Sequence, residues 1–318
     1  MASELSPSSP GPIAQHPLDP ADEKPRAAIR ALLERQREQL PDWPQRRGSF
    51  NDLIGSVSAV PGVEYEAASV GGVPGFWCHP PDARSGAALL YFHGGAYVVG
   101  SPRAHRHFVS QIASRARAAT FIPQYRLAPE QRFPAAVHDA QACYRALREA
   151  TPGPIAIAGA SAGGGLGLIL LNLASAEAKL SGRPPPVAAA LLSPWADLSL
   201  SGDSLRTRGE ADLALSAETL GSAVNHYLAG HDPRDPLASP LYANLAGLPP
   251  IQIHVGDDEV LLDDSVRFVE RALSAGVDAR LDIWQGMLHV FAISVGRLNA
   301  ATRALDALGA FLARHLER

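Results

Sequence analysis

Short apolar runs alternate with helix-like segments along most of this 318-residue chain, and this alternation limits its fold more than any other feature. The runs are continuously apolar, and each ends in Gly, Ser or Pro signals; they occupy residues 87–92, 119–122, 155–158, 187–192, 251–255 and 280–284. Continuous apolar strands are typical of parallel sheets that helices cover on both faces. The sequence therefore predicts an α/β fold with a mostly parallel central sheet flanked by helices.

One long segment breaks this alternation. Residues 197–247 contain no clear strand but several prolines and polar clusters, and connections of this length in compact domains are typically lids or binding loops. We therefore expect a cap insertion at about residues 198–247, helical over 217–228. A helix predicted over 23–40 precedes the first strand, so residues 23–60 would form an N-terminal part of the cap and residues 61–318 the main domain.

Composition disfavours several classes of protein. Residues 1 to about 22 are rich in Pro, Ser and Ala, so we expect them to be poorly ordered, and they lack the basic start and apolar core of a secretory signal. A net charge of −4 and the absence of long apolar stretches give no reason to expect nucleic acid or a membrane as a partner. Cys78 and Cys143 have no metal-type spacing, and a soluble cytoplasmic protein is the expectation.

A candidate nucleophile, Ser161, lies in the string GASAG at residues 159–163, between an apolar strand and a long helix-like segment. A nucleophile on a tight strand-to-helix turn needs glycine on both sides, because backbone segments approach closely there. The turn also directs the helix N-terminus, including the N–H of Ala162, at negative charge that forms beside the serine. Glycine-rich packing turns can carry the same string, but its position here favours the nucleophile.

A second string, HGGA at residues 93–96, follows the apolar strand AALLYF. Consecutive glycines after a strand allow backbone N–H groups to point into a cavity, as the oxyanion of a tetrahedral intermediate requires. We expect His93 to hold this loop by a hydrogen bond rather than to act as the catalytic base.

The base and its acid should come later in the chain. His289 follows the last apolar strand in a short loop, at the same edge of the sheet as Ser161, whereas His254 lies inside a strand. The loop after the preceding strand, GDDEVLLDDS at residues 256–265, offers five carboxylates, of which only one need reach the imidazole. The order nucleophile, acid, histidine is that of α/β-hydrolases.

Over nearly its full length the chain resembles the bacterial hormone-sensitive-lipase group of α/β-hydrolase esterases. The matching strings are HGGA at 93–96, YRLAPE at 125–130 with FPAA at 133–136, GASAGG at 159–164 and SPWADL at 193–198. That family usually carries D-P-L-x-D near the acid, and EVLLD at 259–263 departs from it by glutamate in place of aspartate. The match implies that Glu259 is the acid, with Asp258 as the alternative and Asp263 as a support of the loop.

The resemblance also implies an oxyanion site and a structural pair. The N–H groups of Gly95 and Ala96 would be donors to the oxyanion, and Gly94 would shape the loop. Arg126 and Glu130 of YRLAPE would tie their own loop together.

The activity implied is that of a serine carboxylesterase that hydrolyses short-acyl esters of small molecules without a cofactor. Two alternatives stay open. One is a lactone or natural-product acetyl-ester hydrolase with the same triad, and the other is a non-catalytic small-molecule-binding protein on a hydrolase scaffold. The presence of both Ser161 and His289 disfavours the second. A homodimer is compatible with the resemblance, although no sequence feature establishes one.

Overall fold

The computed structural model describes residues 11–37 and 42–317. Within these ranges the strands are β1 (Ile13–His16), β2 (Glu64–Val70), β3 (Val73–His79), β4 (Ala88–Phe92), β5 (Ala119–Pro123), β6 (Ile155–Ala160), β7 (Ala189–Leu192), β8 (Ile251–Gly256) and β9 (Ala279–Trp284). The α-helices are α1 (Glu23–Arg37), α2 (Arg47–Gly55), α3 (Pro102–Ala116), α4 (Ala135–Ala150), α5 (Ala162–Ser181), α6 (Ser204–Thr207), α7 (Ala217–Leu228), α8 (Leu262–Ser274) and α9 (Asn299–Leu316).

All of these strands belong to one sheet, in the order β1-β9-β8-β7-β6-β4-β5-β3-β2. The first seven strands in this order, from β1 at the edge to β5, pair in parallel with their neighbours. The last two pair antiparallel, β3 with β5 and β2 with β3. The predicted fold class, a mostly parallel sheet flanked by helices, is confirmed. The carboxyl ends of the parallel strands share one edge of the sheet, and the loops that carry the candidate site leave from this edge.

The sheet is buried on both faces. In β4 the side chains of Leu90 and Phe92 pack in the core that includes residues of α4, α5 and α8, while Leu89 and Tyr91 pack in a second core with residues of α3 and α9. Every residue of β4 is buried. Burial on both faces explains why this strand reads as a continuous apolar run.

The start of the chain is more ordered than its composition predicts. The prediction of poor order for residues 1 to about 22 is wrong for residues 11–22, while residues 1–10 lie outside the described residues. β1 pairs with β9, and the carboxylate of Asp22 accepts hydrogen bonds from the backbone nitrogens of Asn299 and Ala300 at 2.7 and 2.8 Å. Asp22 thus caps α9 from a distant part of the chain, because the first N–H groups of a helix have no partners within it.

The two segments predicted to form a cap contact each other. The helix predicted over 23–40 is present as α1, although residues 38–41 lie outside the described residues. Further on, the Trp43 indole nitrogen donates to the backbone oxygen of Thr219 in α7 at 2.6 Å. The Asp42 carboxylate accepts from the Ser222 hydroxyl and pairs with His226, both also in α7. Residues 42–46 are therefore attached to the helix of the insertion.

None of the helices in the described ranges combines the length and apolar character that crossing a bilayer requires.

Candidate active site

Ser161 occupies a strained turn between β6 and α5. Its φ of 54° and ψ of −125° lie outside the regions that side chains other than glycine usually adopt. A Cβ on Gly163 would lie 2.2 Å from the backbone oxygen of Phe92, and one on Gly159 would lie 2.4 Å from the backbone oxygen of Gly163. Both flanking positions therefore require glycine, and the turn presents the serine hydroxyl at the carboxyl edge of the sheet.

The structure brings His289 and Glu259 to this hydroxyl. His289 Nε2 lies 2.9 Å from Ser161 Oγ, and His289 Nδ1 lies 2.6 Å from Glu259 Oε2. Glu259 is fully buried, while Ser161 is 9% exposed. With Nδ1–H donating to the carboxylate, Nε2 carries the lone pair that can accept the serine proton.

Burial and charge act in opposite directions on His289. Burial lowers the pKa of the imidazole, but the Glu259 carboxylate stabilises the charged ring, and Asp212 adds to that effect. The net result is a pKa raised above the ordinary value of histidine. A base of this kind is well matched to proton transfer near neutral pH.

The HGGA loop lies beside the serine. A Cβ on Gly94 would lie 3.3 Å from Ser161 Cβ, and Gly95 has a φ of 124° with Val99 O only 2.2 Å from where its Cβ would be. Ala96 and Tyr97 continue with positive φ values of 53° and 62°. This run of unusual backbone angles forms a tight loop next to the nucleophile, where the predicted donors Gly95 and Ala96 lie. Ala162, the other predicted donor, is the first residue of α5.

His93 holds this loop through a backbone contact and ring stacking. Its Nδ1 lies 2.9 Å from Gly94 O, and its ring stacks between those of His105 and Tyr125, with centroids 5.0 and 4.3 Å away. Burial lowers the pKa of His93 to about 3, so the ring is neutral. The Tyr125 hydroxyl donates to His93 O at 2.7 Å. The structural role predicted for His93 agrees with these contacts.

Two other carboxylates of the acid loop, those of Asp258 and Asp263, bond to partners other than His289. Asp258 lies 3.2 Å from Arg30 Nη1 in α1. Asp263 accepts from the backbone nitrogen of Ser204 at 2.9 Å, and its own nitrogen donates to Ser204 Oγ at 3.1 Å. Of the two acids considered for the triad, Glu259 is the one that contacts the histidine.

The interpretation of the YRLAPE loop is wrong in its partners. Arg126 forms hydrogen bonds with Asp139 of α4 at 2.7 to 3.0 Å, and Glu130 pairs with Arg47 of α2 at 2.7 Å. Each charge thus joins the loop to a different helix instead of closing the loop on itself. Nothing in the sequence indicates which distant helix packs against this loop.

Two buried residues of the site, Ser193 and Asp212, were given no role from the sequence, although Ser193 begins the matching string SPWADL. The Ser193 hydroxyl donates to Glu259 Oε1 at 2.7 Å, and Gly256 N donates to the same oxygen at 2.8 Å. The position of Ser193 was a usable signal, since it directly follows β7, the strand between those of the nucleophile and the acid.

Asp212 is the second such residue, and it comes from the insertion. Its Oδ2 accepts from the backbone nitrogen of Val260, next to the acid, at 2.9 Å, and its Oδ1 accepts from the nitrogens of Ala214 and Leu215. The side chain is fully buried, and burial raises its pKa. No local pattern around residue 212 indicates this long-range contact.

The insertion also touches the loop next to the serine. The ring of Tyr227 in α7 stacks flat on that of Tyr97, with centroids 4.1 Å apart and planes 4° from parallel.

Within residues 11–37 and 42–317, no cluster of three or more His, Cys, Asp or Glu side chains is arranged to hold a metal ion.

Comparison with known proteins identifies the family. The model of the α/β-hydrolase fold family matches residues 89–293, which include the serine, the acid and the histidine. The chain belongs to the α/β-hydrolases. This α/β-hydrolase is 41% identical to an acetyl-hydrolase of Streptomyces hygroscopicus over 293 residues, which cover 88% of the chain and 95% of the relative. It is 37% identical to an esterase of Acinetobacter venetianus over 234 residues, which cover 72% of the chain and 76% of the relative.

Solved structures narrow the family further. The α/β-hydrolase superimposes on the crystal structure of an esterase from the bacterial hormone-sensitive lipase family with a TM-score of 0.85 and 38% identity, covering 92% of this chain and 98% of the other. The resemblance to the bacterial hormone-sensitive-lipase group is therefore confirmed, and so is the prediction of a carboxylic-ester hydrolase.

Proposed function

We propose that the protein is a serine carboxylesterase that hydrolyses short-acyl esters through an acyl-enzyme, with Ser161, His289 and Glu259 as its triad. The observation that carries the proposal is the continuous chain of contacts from Ser161 Oγ through both nitrogens of His289 to Glu259 Oε2, at 2.9 and 2.6 Å. This arrangement pairs a hydroxyl nucleophile with a base and the base with an orienting carboxylate.

The reaction follows from these positions. His289 Nε2 takes the Ser161 proton as Oγ attacks the ester carbonyl, and Glu259 stabilises the imidazolium that forms. The N–H groups of Gly95, Ala96 and Ala162 stabilise the oxyanion, each donor contributing about 3 kcal/mol. His289 then gives its proton to the leaving alcohol. Water, activated by the same histidine, attacks the acyl-enzyme and releases the acid.

The cap supports the preference for short acyl groups. Residues 42–46 and α7 are joined by hydrogen bonds, and Tyr227 of α7 covers Tyr97 beside the serine. Ser161 itself is only 9% exposed. We propose that residues 23–60 and 198–247 form a two-part cap that leaves little room beyond the scissile bond, because selectivity in such enzymes depends on the walls of the pocket.

A panel of p-nitrophenyl esters tests this function. We expect kcat/KM for the acetate and butyrate to exceed that for the octanoate by about tenfold or more, since an acyl chain that outgrows its pocket costs binding energy. A fluorophosphonate probe should label the wild type and fail to label Ser161→Ala. ε-Caprolactone, measured in parallel, tests the lactonase alternative. A kcat/KM higher on the lactone than on the linear esters would favour that alternative. No turnover of any ester together with no labelling would indicate the non-catalytic binding protein.

The raised pKa of His289 gives a pH dependence. Only neutral imidazole accepts the serine proton, so kcat/KM should fall as the pH drops through the pKa of His289. Because this pKa is raised, the acid limb should have its midpoint above the ordinary imidazole value of about 6.5. Measuring kcat/KM with p-nitrophenyl butyrate between about pH 5 and pH 9 locates the limb. A midpoint clearly below the ordinary value would contradict the pairing with Glu259.

The acetyl-ester alternative has one specific support, which is the similarity to the acetyl-hydrolase of Streptomyces hygroscopicus. The cytoplasmic location stays a prediction from the sequence, and a homodimer stays compatible with the family resemblance.

A further inference from the structure

We infer that Ser193 is a positioning residue that holds the acid and the histidine of the triad in register. The inference rests on the esterase function proposed above, and it concerns a residue that does not touch the reacting atoms. Its hydroxyl contacts the loop of Glu259 and the loop of His289 at the same time.

The hydrogen bonds of Ser193 join the two loops. Ser193 Oγ donates to Glu259 Oε1 at 2.7 Å and accepts from the backbone nitrogen of Val290, the residue after His289, at 3.1 Å. A hydroxyl has one donor and can accept at the same time, so both contacts can form together. A shift of either loop would break one of them.

The backbone around these contacts is unusual. Ser193 has a φ of 45° and Val290 a φ of 51°, both in the left-handed region that costs energy for residues other than glycine. Ser193 is fully buried at the end of β7, and its backbone nitrogen donates to His254 O of β8 at 2.8 Å. The hydroxyl is thus fixed by the sheet itself, which gives the acid a rigid support.

The length of the acidic side chain gives this support a reason. Glutamate has one more rotatable bond than aspartate, so more side-chain freedom must be lost to aim it at the imidazole. Glu259 Oε1 is held by two donors, Ser193 Oγ and Gly256 N, which leaves Oε2 to His289. An acid held on one oxygen keeps the other in place for the histidine.

Replacing Ser193 with alanine tests the inference. We expect kcat for p-nitrophenyl butyrate to fall by about 10- to 100-fold with little change in KM, because a hydrogen bond to a charged group is lost while the substrate pocket stays intact. Ser193→Gly removes the same hydroxyl and relieves the left-handed backbone, so it should lose as much. Recovery of activity in the glycine variant would assign the effect to backbone strain and overturn the inference.

Ser110→Ala is the matched control. Ser110 is also fully buried, donates to His107 O at 2.7 Å and accepts from the backbone nitrogen of Val60 at 3.1 Å, but it lies in α3. We expect its kcat to stay within about threefold of the wild type. An equal loss in this control would show that any buried hydroxyl has the same effect.

A double variant separates positioning from general damage. If Ser193 acts through Glu259, adding Ser193→Ala to Glu259→Gln should cost less than about threefold more, because residues that act as a unit are non-additive. Full additivity, or an unaffected Ser193→Ala, would refute the role of Ser193 while leaving the esterase function intact. Failure of the esterase function itself would appear separately, as a wild type without turnover or labelling.

Discussion

Replacing Ser161 with alanine is expected to lower kcat on p-nitrophenyl butyrate by at least about 10,000-fold, because the attacking oxygen is lost while the oxyanion site alone gives only residual catalysis. Ser161 Oγ is the hydroxyl that lies 2.9 Å from His289 Nε2, and the glycine-flanked turn holds it at the start of α5. Steady-state rates with burst titration measure the loss.

The same helix supplies the control for this variant. Ser175 in α5 is 5% exposed and has no role in the proposed chemistry, so Ser175→Ala should keep full activity and a similar melting temperature. Activity of Ser161→Ala within about tenfold of the wild type would remove the basis of the serine mechanism.

The second large effect is expected for Glu259→Gln. All contacts of this side chain use it as an acceptor: Ser193 Oγ and Gly256 N at Oε1, and His289 Nδ1 at Oε2. A glutamine has only one acceptor oxygen, so its NH2 group must oppose a donor or force the imidazole into the wrong tautomer. The comparable change in a serine protease costs about 10,000-fold in kcat, and we expect a loss of that order here.

Two further variants make this result specific. Glu259→Asp keeps the charge but shortens the side chain, so it should lose less than Glu259→Gln. Asp258→Asn should stay within about threefold of the wild type, because Asp258 pairs with Arg30 at 3.2 Å and not with the histidine. The reverse order, with Asp258→Asn inactive and Glu259→Gln active, would move the acid to Asp258.

The central part of the fold could be predicted from the sequence because local pattern and global burial agree there. β4, β6 and β8 are buried along their whole length and read as apolar runs. In the insertion, α7 begins and ends at the predicted residues, 217 and 228. β1 could not be found in this way, because four residues in a proline-rich context become a strand only by pairing with β9.

The hairpin of β2 and β3 is a different case, since its signal was present. Gly71 and Gly72 join the two strands, both with positive φ, and two glycines between strand-like runs are a typical hairpin turn. The runs themselves alternate in polarity or contain Pro and Gly, so they do not resemble the continuous strands of the centre.

In the site, the residues that react could be predicted from sequence motifs and their order along the chain. The residues that support them became visible only through long-range contacts in the structure. Ser161 and His289 stand in strings with a recognisable strand and loop context. Ser193 contributes through a hydrogen bond to Glu259, 66 positions later in the chain, and Asp212 through one to Val260, 48 positions later. No periodicity in the sequence encodes such contacts.

The hydrogen bond between Asp212 and Val260 has a consequence for engineering this enzyme. Exchanging the segment 198–247 for that of a relative would be an obvious way to broaden or redirect the range of accepted molecules. Such a chimera would also replace the side chain that anchors the backbone beside Glu259. Grafts that retain the aspartate at residue 212 and its turn would alter recognition alone, whereas grafts that discard it would disturb turnover for every molecule tried.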